Sequence, residues 1–118
     1  MSNKDFLIKL RKKIPFLDQI PDEIFFDLDI SELYLPDDEI SLAREELEKK
    51  LDQHVMTYKA TGVIPKEFRK CLCSYLKPAK LTKDQLKNLH KFEEKYKNKG
   101  VSFAVYQKPL KILTSIPR

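Results

Sequence analysis

Lys83, Lys87, Lys91 and Lys95 stand four residues apart. On a helix this spacing stacks side chains into one near-axial row. A row of ammonium groups suits one task above others, the neutralisation of phosphates. Like charges at this spacing repel by about 0.2–0.5 kcal/mol per pair, so the row costs some stability. Glu93 and Glu94 are expected to relieve part of that cost. Lys77, Lys80 and Lys99 extend the basic surface at both ends. The same pattern also fits an ordinary solvated helix face. Lysine outnumbers arginine nineteen to four. Reading bases in the major groove relies on the guanidinium fork, whereas lysine acts as a point charge on phosphate. Binding through these residues is therefore expected to follow the backbone with little sequence choice.

Other chemistry is thinner. Cys71 and Cys73 are the only cysteines. Two apart, they read as reduced, mostly buried thiols of a reducing, cytoplasmic setting. His54 and His90 have no ligand spacing around them, so no metal site is expected. The string IFFDLDIS, residues 24 to 31, resembles the first motif of haloacid dehalogenase-type phosphotransferases. That resemblance implies an apolar strand, a nucleophile at Asp27 and an acid/base at Asp29. It covers eight residues, with no alternating strand–helix pattern behind it. The Asp27, Asp29, Ser31 spacing also resembles a calcium loop, but Glu32 stands where the turn needs glycine. No Ser/His/Asp set is legible. The expectation is no enzyme, no catalytic residue and no cofactor.

Charge is distributed unevenly. Residues 1–13 carry +4, residues 14–48 carry −11 and residues 49–118 carry +12, giving the net +5. Such asymmetry hints at an anionic partner for the basic part or a basic partner for the acidic part. The acidic part holds FDLDISELYLPDDE, from Phe26 to Glu39. It is too apolar for a solvated tail, and three uses are open. Its apolar side can join the core while the acids stay in water. Phe26, Leu28, Leu33 and Tyr34, with Asp37 and Asp38, can form a docking surface for a protein partner. Or the segment can meet the basic half of a second copy, giving a homo-oligomer.

The elements that must position these residues follow from periodicity and punctuation. Phe6, Leu7, Leu10 and Ile14 predict a helix over 3–13, with Ser2 as its cap. Residues 21–29 fit a short helix opened by Pro21, while Phe26, Leu28 and Ile30 alternating with Asp27, Asp29 and Ser31 fit a strand. Ile40, Ala43, Leu47, Leu51, Val55 and Tyr58 predict one long helix from Pro36 to a cap at Gly62. Pro65 opens another, with Phe68, Cys71, Leu72, Tyr75 and Leu76 on one side. Thr82 and Gln85 form a capping box for the lysine helix, which runs to about Asn98 with Gly100 as its cap. Val101 to Tyr106 and Leu110 to Ile116 then predict a hairpin.

At 118 residues the chain reads as a single domain, 1–118. No apolar run is long enough to span a membrane. The expected fold is mostly α, four to five helices with a small C-terminal β-hairpin. Its order of helix, turn, lysine helix and hairpin matches the second half of a winged helix-turn-helix, with Lys108 and Lys111 on the wing. The expected function is non-enzymatic nucleic-acid binding, DNA or RNA, through Lys80, Lys83, Lys87, Lys91, Lys95, Lys108 and Lys111. The alternative is a protein-interaction module (an adaptor, an inhibitor or an assembly subunit) using the acidic–aromatic segment 24–39.

Overall fold

The computed structural model of the protein describes residues 3–28, 30–31, 33–60 and 75–112. Helix α1, Asn3–Lys13, lies where its apolar spacing predicts, and Leu7, Leu10 and Ile14 are buried. Pro15–Gln19 forms a 3-10 turn, followed by the one-turn helix α2, Asp22–Phe25. Helix α3, Asp38–Leu51, starts on Asp37, whose carboxylate accepts the Ile40 N–H at 2.9 Å. Strand β1 is His54–Lys59, helix α4 is Lys83–Lys95 and strand β2 is Val101–Tyr106.

Two elements differ from the sequence reading. The long helix stops at Leu51, and Asp52 in the left-handed region (φ 53°, ψ 41°) is its C-cap. Val55 and Tyr58 fall at helical spacing from Leu51, so a helical period runs on past the true end. Val55, Met56, Thr57 and Tyr58 are all buried. A strand buried on both faces does not alternate, and its β-branched and aromatic residues favour the extended chain. The second correction follows from the first. β2 pairs antiparallel with β1, from His54 opposite Tyr106 to Lys59 opposite Val101, while residues 113–116 of the expected hairpin lie outside the described residues. Segment 110–112 instead places Ile112 in a bridge with Leu76. Among the described residues between 24 and 35, the chain is helical to Phe25 and irregular after it, and Leu33 forms a bridge with Tyr58.

The strand pair separates two apolar clusters. Met56, Tyr58 and Tyr106 face a cluster with α1, Phe16, Phe25, Leu28 and Leu33. Val55, Val101, Phe103 and Val105 face Ile40, Ala43, Leu47 and Leu51 of α3 and Leu89 of α4. The result is helical segments on both faces of a two-stranded core. The Cα radius of gyration, 13.7 Å, is close to the roughly 13.5 Å expected of one compact domain of this length.

Both sheet edges are covered over part of their length. On β1, the Val55 N–H donates to Glu48 at 2.9 Å and its carbonyl accepts from Arg44 at 3.2 Å. Arg44, 1% exposed, is itself paired to Glu48 at 2.8 Å. Further along, the Thr57 hydroxyl donates to the Tyr34 carbonyl at 2.8 Å. On β2, Glu93 accepts from the Ser102 hydroxyl and the Phe103 N–H, and the Ala79 N–H donates to the Val105 carbonyl. Covered edges cannot template pairing with another chain.

Candidate nucleic-acid interface

Helix α4 begins at the capping box read from the sequence. Thr82 accepts the Gln85 N–H at 3.2 Å, and the Gln85 side chain accepts the Thr82 N–H at 2.8 Å. Gln85 also donates to the Leu51 carbonyl at 3.1 Å, tying the start of α4 to the end of α3. At the far end Lys99 meets Asp37, so the two helices run antiparallel. Leu89 is the buried residue of α4, with Phe92 and Tyr96 half-buried beside it. Leu86, three residues before Leu89, is 40% exposed.

This seating fixes where the lysines go. Each four-residue step turns about 40° and rises about 6 Å. Leu89 lies midway between Lys83 and Lys95 in sequence, so the row is centred on the side of α4 opposite Leu89. All four lysines are exposed, and none forms an ion pair among the described residues. Lys95 does lie over the Tyr96 ring, 5.4 Å from its centroid. Asp84 and Glu94 share the outward face and temper its charge. Glu93 does not help here as expected, because its carboxylate serves β2.

The other basic residues divide. Lys77, Lys80 and Lys111 are exposed. Lys108 reaches Asp52 at 3.6 Å, and its N–H donates to the Gln53 side chain. Lys99, four residues beyond Lys95, is held by Asp37 at 2.8 Å and Glu39 at 3.2 Å. The Lys99 hydrogen bond and the Ile40 N–H hold the Asp37 carboxyl below its ordinary range, and the two acids raise the Lys99 ammonium.

The acidic segment is now accounted for in large part. Leu28 and Leu33 are core residues, so they are not docking anchors; the one-turn α2 and the bridge to Tyr58 carry them inward. Phe26 and Tyr34 are half-buried. Phe26 stacks edge-on with Phe25, and the Arg11 guanidinium lies 5.3 Å from its ring centre. Asp37 and Asp38 are exposed but engaged, Asp38 with Lys13 at 3.7 Å. Asp18 and Asp22 meet Arg11. The negative middle of the chain thus pairs with the positive regions on both sides of it.

His54 opens β1 rather than sitting on a helix. It stacks on Phe16 with ring centres 4.7 Å apart, in a cleft of about 690 Å³ bounded also by Arg44, Glu48 and Lys108. Burial lowers its pKa, outweighing Glu48 at 3.8 Å. Arg44 and Glu48 in this cleft are committed to β1. The phosphotransferase resemblance loses its strand, because Asp22–Phe25 is helical; Asp29 lies outside the described residues. So do Glu32, Cys71, Cys73, the Ser2 cap and most of the helix expected after Pro65. Among the described residues, no cluster of three His, Cys, Asp or Glu side chains could hold a metal ion, and no helix is long and apolar enough to cross a membrane.

The Lys99 pair was missed from sequence because 62 residues separate its partners. Two signals were present: the four-residue spacing runs on from Lys95 to Lys99, and Arg44 is the one base in the acidic region, four before Glu48. No family model, curated protein or solved structure matches the chain.

Proposed function

We propose that the protein is a small non-enzymatic nucleic-acid-binding protein, working in the reducing interior of a cell, that contacts the phosphate backbone through α4. One observation carries this reading: Lys83, Lys87, Lys91 and Lys95 are exposed, unpaired among the described residues, and centred opposite the buried face of their helix. Phosphates can therefore be neutralised without disturbing the core. With lysine rather than arginine on this face, contacts order the backbone and do not read bases.

The order of elements supports a winged-helix comparison. A strand, β1, precedes α4, and β2 follows it and leads to a turn bearing Lys108 and Lys111. Against the comparison stand the direct pairing of β1 with β2 and the use of Lys108 by Asp52.

The test is fluorescence anisotropy with labelled duplex and single-stranded probes at 50 and 200 mM salt. Four lysines on phosphate give a log–log slope of about −3.6 on duplex DNA, a loss of roughly 150-fold over that range. Lys87→Glu with Lys91→Glu is expected to abolish binding and leave the circular dichroism unchanged. Absence of binding at 50 mM salt sinks the reading. The protein-interaction alternative then takes over, resting on Phe26, which with Ile8, Arg11 and Pro15 lines an open groove of about 400 Å³. A partner still retained by Phe26→Ala would remove that alternative as well.

A further inference from the structure

We propose that Lys99 is a fifth phosphate-binding lysine, which Asp37 and Glu39 occupy in the free protein as stand-ins for phosphate. This rests on the nucleic-acid reading and extends its site beyond α4. Lys99 continues the four-residue spacing of the row, but it follows the helix, in the 3-10 turn Lys97–Lys99. There its ammonium meets two carboxylates from the start of α3, at 2.8 and 3.2 Å. The four lysines before it have no such partner. Two carboxylates around one ammonium present the same chemistry as phosphate oxygens. All three groups lie at the surface, about one third to one half exposed, where ion pairs hold weakly and exchange readily. A phosphate reaching Lys99 therefore competes with two carboxylates for its ammonium. The acids set a threshold: while they hold Lys99 the row binds with the slope of four contacts, and the fifth contact forms once their hold is removed.

The experiment compares the full-length protein with Asp37→Asn/Glu39→Gln in the duplex titration. Asparagine caps a helix about as well as aspartate, so α3 keeps its start. Freeing Lys99 should tighten binding at 50 mM salt and steepen the slope by about 0.9, one phosphate contact. Adding Lys99→Met should return the slope to its original value. Glu45→Gln/Glu46→Gln is the control: these exposed acids of α3 give the same change in net charge and hold no ion pair among the described residues. A steeper slope confined to the first pair and cancelled by Lys99→Met supports the proposal. An unchanged slope, an equal change in the control, or a change that survives Lys99→Met overturns it while leaving the α4 reading intact. If neither the parent nor the variants bind duplex, both fall together.

Discussion

His54 shows how burial and charge compete at one side chain. Glu48 at 3.8 Å favours the imidazolium, yet removal from water against Phe16 wins and holds the pKa below its ordinary 6.5. The sign for stability follows. The unfolded chain takes up this proton more readily than the folded one, so stability present above pH 6.5 is lost as pH falls through the lowered folded value. The urea midpoint is expected to drop between pH 7 and pH 5.5, before most carboxylates titrate. His54→Gln should flatten that part of the curve; an unaltered curve would mean that another group is responsible. His54 was placed on a helix by the sequence reading because a helical period happened to pass through Val55 and Tyr58. Its partner Phe16, far away in sequence, was not legible.

At the scale of elements, caps decide where regular structure ends. The α4 capping box was readable to the residue, because both partners lie within one turn and need no tertiary help. The end of α3 was not readable, because Asp52 takes the left-handed conformation that glycine adopts more easily, and no glycine marks the spot. Asp52→Gly should relieve that conformation and raise stability by about 0.5 kcal/mol, the benefit reduced by the entropy glycine adds to the unfolded chain. The loss of the Lys108 contact at 3.6 Å between exposed groups subtracts little. A thermal melt that moves down instead would show that the Asp52 carboxylate matters more than its backbone. What holds β1 in place, once α3 has ended, is the Arg44–Glu48 pair on Val55. A buried arginine is costly unless its bonds are made; Nη1 of Arg44 serves the Val55 carbonyl and Glu48, while its buried Nε has no hydrogen-bond partner among the described residues.

For the whole molecule, β1 and β2 are the shared wall of both apolar clusters, since alternate residues of each strand face opposite sides. Neither cluster keeps its wall if the other melts. Leu10→Ala in the first and Leu47→Ala in the second should each cost about 2–5 kcal/mol. The tyrosine signal comes largely from Tyr58, Tyr75 and Tyr106 of the first cluster, while circular dichroism reports all helices. The two midpoints are expected to coincide in both variants; separation of the two signals in Leu47→Ala would show two independent units. The charge map works at this scale too. Its acidic middle is folded back on basic regions from both ends, through Arg11, Lys13 and Lys99, and the outward side of α4 keeps lysines unpaired among the described residues.

By itself, the sequence determined what local physics controls: the extent of α1, the cap and start of α4, and the lysine row. These depend on residues within a turn or two of one another, where spacing translates directly into geometry. Only the tertiary structure decided that residues 54–59 are a strand, that β2 pairs with them, that Leu28 and Leu33 belong to the core, and that Lys99 is held by Asp37 and Glu39. Each of these rests on groups brought together from distant parts of the chain. A buried two-sided strand and a helix read alike in hydrophobicity, and the pairing partner that separates them comes from elsewhere in the fold.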